Sequence, residues 1–312
     1  MTPPPPADRA GPHRVLRPGL QVVRRDDRHL QVGLDAPLRL VVEDGPDERR
    51  VLGAVRDGRP AAPATPAGHR LLDRLLGLGL LVDADLLDAA LGRVAALGGD
   101  RAAVLSCFAR HGDAAASRLA ARTAARVLLD APDDAAASAA RLLRATGVAS
   151  VVRIDLAADL AGGPDPEPGA TAALVVAAGE QRRARLDPLV RAGLPHLLLT
   201  CGARGARLGP FVVPGVTACL RCLDAHHGER DPRRATVLEQ SARTAAEEPV
   251  DPAQLAGALA WAVGELVEHL DGDRPGTWSA TATLEGGGPP VRRAWSRHPH
   301  CGCAWDALAA TG

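Results

Sequence analysis

The sequence predicts an α/β protein with two domains, and two observations support that prediction. Residues 126–215 alternate short apolar runs of strand length with helical segments, an order typical of a doubly wound, mostly parallel sheet. Upstream, three strand-like segments precede two helical segments and a further apolar run, which is the order of a winged-helix domain. A chain of 312 residues is long enough for both domains.

The first domain is expected at residues 15–85. Its segment LQVVRRDDRHLQVGL alternates apolar and polar residues around a charged turn, which predicts a β-hairpin. The other expected elements are a strand at Leu38–Val42, helices at Asp47–Gly58 and Pro66–Leu78, and a wing strand at Leu80–Val82. Thr65 can cap the second helix, because Thr is a favoured N-cap residue before Pro. An Ala-rich helical connector should follow at residues 86–122.

The second domain is expected at residues 123–312 and begins with a strand–helix–strand unit. Its predicted strands are Arg126–Leu129, one ending at Ile154, Thr171–Gly179, Leu194–Gly202 and Ala206–Gly215. Its predicted helices are Ala135–Thr146, Leu186–Gly193 and Ala256–Gly272. The segment LAGGPDPEPGAT is expected to be a loop, since it is rich in Gly and Pro.

Composition and charge exclude several functions. The 37 basic residues are all Arg and are balanced by 37 acidic residues, and the chain contains neither Lys nor Asn. A balanced charge supplies no basic field to attract nucleic acid or an anionic membrane. Phosphate-loop ATPases, protein kinases and pyridoxal enzymes each need a Lys in the active site, so the sequence excludes these classes.

The chain has the features of a cytoplasmic protein. Its first 14 residues, MTPPPPADRAGPHR, predict a disordered Pro-rich tail without the apolar region of a signal peptide. No apolar run approaches the ~18 residues that a membrane span needs. Six cysteines are too few for a disulfide scaffold in a chain of this length.

Two close cysteine pairs suggest a metal site. Cys219 and Cys222 are spaced C-x-x-C, whereas Cys301 and Cys303 are spaced C-x-C. Two such pairs that meet in space suit a structural zinc site of four thiolates. A redox pair would leave the second pair unexplained, and coincidence is the remaining alternative. The nearby side chains expected to flank this site are His298 and His300, and the isolated thiols expected in the core are Cys107 and Cys201.

The loop after the first predicted strand of the second domain lacks a phosphate-binding pattern. Phosphate loops need glycines so that backbone N–H groups can approach the anion. Here the loop is DAPDDAAA, and no Gly occurs between Gly112 and Gly147. Asp155, at the end of the next strand, is placed to hold a ribose, and we interpret it as a vestige. The sheet is therefore expected to be degenerate, without a bound nucleotide.

The run from Leu174 to Cys222, which contains GPFVVPGVTACLRC, resembles the ThiF/MoeB superfamily of ubiquitin-activating-type adenylyltransferases. The resemblance extends over residues 120–303 and includes the terminal HPHCGC. It implies a doubly wound sheet with structural zinc bound by both cysteine pairs. The enzymes of this family carry a Gly-rich loop and a metal-binding Asp after the third strand. Gly179-Glu180 occupies the second of these places here, so adenylation is not expected.

One branch of this superfamily combines such a sheet with an N-terminal winged-helix peptide-recognition element. These Ocin-ThiF-like proteins occur with YcaO cyclodehydratases in the biosynthesis of thiazole- and oxazole-modified, bacteriocin-like peptides. The resemblance implies a non-catalytic partner that holds the leader of a precursor peptide and presents it to the YcaO enzyme. A homodimer is compatible with this interpretation.

A leader peptide can bind by adding a strand to a sheet edge beside a helix. The predicted edge is the strand that contains Leu38, Arg39, Leu40 and Val42, and the predicted helix contains Arg70, Leu71 and Arg74. The three arginines are candidates to contact an acidic leader, and Leu40 and Leu71 are candidates to line its groove. The alternative is an ordinary solvated helix face over a core.

Two other functions compete with the scaffold. An ATP-dependent adenylyltransferase or cyclodehydratase component would need an unusual phosphate site, and the Asp-rich loop argues against it. A winged-helix DNA-binding regulator would need a basic recognition helix. The segment GHRLLDRLLGLGLL contains only two Arg, one His and one Asp. Nucleic acid is therefore not an expected partner.

Overall fold

The computed structural model describes residues 13–156, 168–243, 248–286 and 288–304. The chain divides into two compact units between Ala120 and Ala121. Within the described ranges, no helix is both long and apolar enough to cross a bilayer. Most of the predicted Pro-rich tail and of the predicted loop at residues 160–171 lies outside these ranges.

Within its described residues, the N-terminal unit contains five short strands and four α-helices, and a fifth α-helix continues across its boundary. The strands are β1 (Arg14–Leu16), β2 (Val22–Arg24), β3 (His29–Val32), β4 (Leu40–Glu43) and β5 (Leu81–Asp83). The helices are α1 (Pro46–Arg56), α2 (Pro66–Gly77), α3 (Ala84–Ala96), α4 (Arg101–His111) and α5 (Ala115–Ala124). Strands β2, β3 and β4 form an antiparallel sheet in that order, and β1 pairs with β5. The hairpin and both helices after it lie where the sequence predicts them.

Two strand boundaries in this unit differ from the predictions. Strand β4 begins at Leu40 and not at Leu38, because Leu38 lies in the connection that folds back against Gly33, whose φ is +72°. Strand β1 begins at Arg14, inside the predicted tail. The predicted wing strand is β5, and it pairs with β1, so β1 is an element that the sequence patterns missed.

Two apolar clusters stabilise the N-terminal unit. The first joins the three-stranded sheet to α1 and α2 through side chains such as Leu40, Val51 and Leu75. The second joins β5 to α3, α4 and α5 around Val82 and Phe108. The helices predicted as a connector at residues 86–122 are therefore present, and they pack around a core of their own.

The C-terminal unit contains seven strands and five helices within its described residues. The strands are β6 (Arg126–Asp130), β7 (Ser150–Arg153), β8 (Ala172–Ala178), β9 (His196–Gly202), β10 (Gly205–Val212), β11 (Ala280–Glu285) and β12 (Val291–Ala294). The helices are α6 (Asp133–Ala145), α7 (Asp187–Arg191), α8 (Leu220–Gly228), α9 (Arg234–Arg243) and α10 (Pro252–Leu270).

The large sheet is mixed, which corrects the prediction of a mostly parallel sheet. Its strand order is β12-β11-β10-β9-β8-β6-β7. The four strands β6 to β9 are parallel, whereas β10, β11 and β12 are antiparallel to their neighbours. Only two residues connect β9 to β10, and a connection that short can only form a hairpin. The sequence patterns did not identify β11 and β12.

The two faces of this sheet carry different cores. On one face, α6 and α10 cover apolar side chains of the central strands, including Leu174 and Leu199. On the other face, α7 and α8 pack around Val175 and Leu198, and this second core also contains Cys219, Cys222 and Cys301. The folding of α8 onto the sheet therefore brings the first cysteine pair to the edge of a core.

Candidate functional site

The four predicted cysteine ligands lie together. The Sγ atom of Cys219 is 3.7 Å from that of Cys222 and 3.6 Å from that of Cys301, and the Sγ atoms of Cys222 and Cys303 are 3.3 Å apart. Four thiolates around a tetrahedral ion with 2.3 Å metal–sulfur bonds would be separated by about 3.8 Å. A disulfide would bring two sulfurs to about 2.05 Å. The cluster therefore fits a metal ion, and the cysteines are free.

Local structure explains how the first cysteine pair is positioned. Cys219 is the N-cap residue of α8, and Cys222 lies in the first turn of that helix. The preceding loop is fixed by Thr217, which is 1% exposed. Its Oγ1 accepts a hydrogen bond from the Val213 backbone at 2.7 Å and donates one to the Phe211 carbonyl at 3.1 Å. These bonds join the loop to the end of β10.

Burial affects the ionisation of these thiols. It raises the pKa of Cys303 to about 12, whereas a hydrogen bond from the Cys219 thiol lowers the pKa of Cys222 to about 4. Because the Cys219 thiol donates this hydrogen bond, its own pKa is raised. Cys222 thus ionises before Cys219 and Cys303, and a bound cation would compensate the cost of ionising those two thiols.

The histidines near the second cysteine pair are engaged in other bonds. The Nε2 atom of His298 is 3.0 Å from a carboxylate oxygen of Glu229, and its Nδ1 accepts a hydrogen bond from the His300 backbone at 3.1 Å. The Nε2 atom of His226 lies 3.0 Å from the Ser296 carbonyl. His226, Glu229 and His298 are close enough to form a second group of potential ligands. Their hydrogen bonds instead fix the loop that carries Cys301.

The remaining two cysteines lie in apolar cores. Cys107 is buried in the second cluster of the N-terminal unit, and Cys201 is buried in the sheet core of the C-terminal unit. Burial raises the pKa of Cys201 to about 11, which disfavours a reactive thiolate. Both positions agree with the prediction of core residues.

The loop after β6, where the sequence lacks a phosphate-binding pattern, carries ion pairs. The guanidinium of Arg185 donates two hydrogen bonds to Asp130, at 2.7 and 3.0 Å. Arg153 donates to the Ala131 carbonyl at 2.9 Å and to Asp133 at 2.7 Å. Burial raises the pKa of Asp130, and Arg185 opposes that shift. A loop with these carboxylates and no Gly offers no cradle for a triphosphate.

The place of the metal-binding Asp, after β8, is similarly occupied. Glu180 accepts hydrogen bonds from Arg183 and Arg207, each at 3.1 Å. Although burial alone would raise the pKa of Glu180, the two arginines lower it. Arg183 also forms a two-point ion pair with Asp224, at 2.6 and 2.9 Å. The carboxylate that could hold Mg²⁺ is thus neutralised by protein groups.

Asp155 lies beside this network. It borders a cavity of about 640 Å³ that is also lined by Asp130, Arg153 and Arg185. Its negative charge contributes to the raised pKa of Asp130. The carboxylate therefore lies at the carboxyl end of the parallel strands, where a ribose would be held, but among balanced charges.

A second cavity lies in the N-terminal unit, between β4 and α2. We call it the β4–α2 groove; its volume is about 470 Å³. It is lined by His29, Val41, Val42, Glu43, Glu48, Ala67, Arg70, Leu71 and Arg74. Leu71 is 3% exposed and contributes to the floor, whereas both arginines are exposed.

Strand β4 is an edge strand, since β3 is its one partner within the described sheet. The backbone of Asp44 donates to Arg28, and β4 pairs Val42 with Leu30. Because inward and outward hydrogen bonding alternates along an antiparallel strand, the N–H and C=O of Val41 and the N–H of Glu43 point away from the sheet. The Glu43 carbonyl accepts from Gly45. The outer edge of β4 can therefore receive another strand.

The structure separates the predicted peptide-binding residues into two sets. Val42, Arg70, Leu71 and Arg74 line the β4–α2 groove, whereas Leu40 is buried in the core beneath it. The groove lining does not include Leu38 or Arg39, which precede the strand. The sequence patterns missed Val41, Glu43 and Glu48, and the one-residue alternation along β4 was the signal that could have identified Val41.

Comparisons with solved structures show which proteins share this fold. The chain has the fold of heterocyclases and of the E. coli protein MccB. A heterocyclase in complex with substrate and cofactor matches with a TM-score of 0.66 at 16% identity, over 94% of this chain and 40% of that chain. The heterocyclase TruD matches with a TM-score of 0.64 at 17% identity, over 97% of this chain and 44% of that chain.

E. coli MccB, in a structure with succinimide, matches with a TM-score of 0.60 at 11% identity, over 94% of this chain and 99% of that chain. This chain therefore spans less than half the length of the two heterocyclases and nearly the whole length of MccB. No protein-family model and no curated protein matches its sequence. At these identities, the likeness concerns the fold.

Proposed function

We propose that this protein takes part in the biosynthesis of a modified peptide, as a non-catalytic scaffold. In this role it binds the leader of a ribosomal precursor peptide and presents it to a YcaO-type cyclodehydratase. The N-terminal unit acts as the winged-helix recognition element, and the C-terminal unit is a degenerate ThiF-like domain. A structural zinc ion on the four cysteines stabilises that second unit.

The outer edge of β4 is the observation that carries this proposal. The Val41 backbone and the Glu43 N–H lie along a groove whose other wall is α2. An extended peptide can complete such an edge through main-chain hydrogen bonds, while alternate side chains enter the groove. Leu71 supplies apolar contact area at the floor, and Arg70 and Arg74 supply charge at the rim.

The ion pairs around Asp130 and Glu180 support a role without adenylation. Arg185 neutralises Asp130, and Arg183 and Arg207 neutralise Glu180. These acids would otherwise be available to bind Mg²⁺, which prefers carboxylate and phosphate oxygens. In the scaffold, the same ion pairs join the segment between β8 and α7 to β6 and β10.

The heterocyclase comparisons support a separate catalytic partner. The two heterocyclases continue for more than half of their length beyond the region that matches this chain. A distinct cyclodehydratase would supply the corresponding catalytic part in the proposed assembly. The first of these structures is described as a complex with substrate and cofactor, which agrees with a fold that serves peptide modification.

Zinc is the metal that best suits the cysteine cluster. Four thiolates around one ion form a closed structural site, without the open position that a catalytic zinc needs. The ion would link α8 to the loop that carries Cys301 and Cys303. Its role is therefore to stabilise the fold, because no ligand position remains for a substrate.

A second candidate is an ATP-dependent adenylyltransferase. MccB is matched over nearly its whole length, and it is described as a biosynthetic enzyme and has been crystallised with AMPCPP. That comparison favours a similar activity, whereas the ion pairs of Asp130 and Glu180 oppose it. ATP–pyrophosphate exchange by the purified chain distinguishes the two functions.

Fluorescence polarisation of labelled leader peptides tests the scaffold proposal. The peptides are taken from precursor genes beside the gene of this chain, and the full-length protein is used. Val41→Pro removes the outward N–H of β4 without removing a hydrogen bond to β3. Val22→Pro is the matched control, because the N–H of Val22 points outward from the opposite edge of the same sheet.

We expect sub-micromolar binding that Val41→Pro weakens by at least tenfold and that Val22→Pro preserves. In a reaction with the YcaO enzyme, the precursor should lose one water per ring only when the wild-type scaffold is present. Equal binding by both proline variants would exclude the β4 edge as the binding site. Pyrophosphate exchange without leader binding would favour the enzyme.

A further inference from the structure

The β4–α2 groove carries charges of opposite sign on its two walls. On α2, Arg70 and Arg74 are four residues apart, so they lie on the same face of the helix. On the other side, the groove is lined by Glu43 at the end of β4 and by Glu48 in the first turn of α1. The groove is therefore polarised across its width.

These four charged side chains differ from neighbouring charged residues in their pairing. Among the described residues, none of the four side chains forms an ion pair or a hydrogen bond. The neighbouring acids behave differently, since Asp44 pairs with Arg24 and Arg49 and Asp47 with Arg50. The groove thus combines apolar floor residues with two unpaired arginines and two unpaired glutamates.

We propose that the occupant of the groove is an extended peptide segment of mixed charge, which contains acidic side chains that contact Arg70 and Arg74 and a basic side chain that contacts Glu43. This inference rests on the proposed function and specifies the class of leader that the scaffold selects. The two arginines alone would select an acidic leader. The inference adds a basic residue of the leader, which Glu43 would contact.

The period of a β-strand fixes how these charges are spaced in the peptide. Leu40 and Val42 point to the buried face of the sheet, so Val41 and Glu43 point to the opposite face. Cross-strand neighbours share a face, which places the basic residue opposite Glu43 on the outer face. Side chains that reach α2 lie on the inner face. The acidic and basic residues are therefore an odd number of positions apart.

Selection from a displayed library of short random peptides tests this proposal on the immobilised full-length chain. Three variants are compared with the wild type: Val41→Pro, the pair Arg70→Glu with Arg74→Glu, and the pair Glu43→Arg with Glu48→Arg. One enriched peptide and its charge-reversed counterpart are then measured by fluorescence polarisation at low and high salt. High salt should reduce the effect of the charges, because Glu43, Arg70 and Arg74 are exposed.

We expect wild type to enrich peptides that carry acidic and basic residues at odd spacing. Each charge-reversed variant should prefer the opposite charge at the peptide position that faces the changed residues, and it should bind the wild-type-enriched peptide about tenfold more weakly. A peptide whose charge at that position is also reversed should recover binding to the variant. Enrichment that Val41→Pro abolishes, but that shows no charge pattern, would overturn this inference and leave the scaffold function standing. Failure to enrich any peptide over Val41→Pro would instead reject the scaffold function itself.

Discussion

The guanidinium of Arg185 and the carboxylate of Asp130 form a two-point ion pair at the carboxyl end of β6, with N–O distances of 2.7 and 3.0 Å. The Asp130 side chain is 5% exposed and that of Arg185 is 21% exposed. The carboxylate would otherwise be left in a position where burial disfavours its charge. The pair thus stabilises the loop that follows β6.

Arg185→Ala should destabilise the C-terminal unit at neutral pH by about 3 kcal/mol, because a buried carboxylate then lacks its partner. The pKa of Asp130 is already raised, so its ionisation costs stability as the pH rises above that pKa. Removing Arg185 should increase this cost. Chemical denaturation at neutral and acidic pH measures the effect.

Asp130→Asn in the Arg185→Ala background is the informative control. The amide carries no charge, so the double variant should recover much of the lost stability at neutral pH. At a pH low enough to protonate Asp130, the single variant should approach the double variant. A loss of stability that is independent of pH and of Asp130→Asn would show that Arg185 acts through packing alone.

Cys222→Ser should release the metal ion. The pKa of Cys222 is lowered by the hydrogen bond from Cys219, and its Sγ atom lies close to those of Cys219 and Cys303. We expect one zinc per wild-type chain by mass spectrometry and loss of bound zinc in the variant. Loss of a structural ion should destabilise the C-terminal unit by several kcal/mol, since metal binding is coupled to folding.

Cys201→Ala is the matched control for metal content, because Cys201 is equally buried but lies in the other core of the sheet. It should retain one zinc per chain and lose only packing energy. Equal zinc content in Cys222→Ser and Cys201→Ala would refute the four-thiolate site.

Asp47 should titrate far below a normal carboxyl group. Hydrogen bonds from the hydroxyl and backbone of Thr65, each at 2.8 Å, lower its pKa from 3.8 to about 2, and the Ala64 backbone donates to it as well. Because the folded-state pKa is lowered, the stabilisation is complete above pH 3.8 and is lost as the pH falls to about 2.

The amide proton shifts of Ala64 and Thr65 in NMR spectra report this titration directly, since both amides donate to Asp47. We expect a midpoint near 2, and no such transition in Asp47→Asn. Asp35→Asn, in an exposed loop, should leave the titration unchanged. A midpoint near 3.8 would mean that the bonds that hold the start of α2 are not formed in solution.

The sequence was sufficient for features that depend on residue type and local pattern. The C-x-x-C and C-x-C spacings predicted the cluster of Cys219 and Cys301, because thiol pairs on turns suit few other structures. Thr65 before Pro66 predicted the start of α2, and its hydroxyl does accept from the Gly68 backbone. Both signals lie within a few residues of the feature they predict.

Features that depend on distant pairing could not be predicted in the same way. The segments that form β11 and β12 carry few of the buried apolar runs that mark the central strands, and β12 is exposed on both faces. Strand β1 is only three residues long and is stabilised by pairing with β5, almost seventy positions later. Leu38 was assigned to β4 by its apolar character, whereas Gly33 and the turn after it set the strand boundary.

Thr217 should control metal affinity without contacting the metal. It is buried, and its hydroxyl bonds to Val213 and Phe211 hold the loop before Cys219. Thr217→Val keeps the shape of the side chain but leaves the Val213 N–H and the Phe211 carbonyl without this partner. Because groups that orient metal ligands typically contribute 10- to 100-fold in affinity, we expect zinc binding to weaken by roughly tenfold or more.

Competition with a chromophoric chelator measures the change, and Thr217→Ser, which keeps the hydroxyl, should bind zinc nearly as tightly as wild type. If Thr217→Val bound zinc as tightly as Thr217→Ser, the position of Cys219 would be set by α8 and not by the loop.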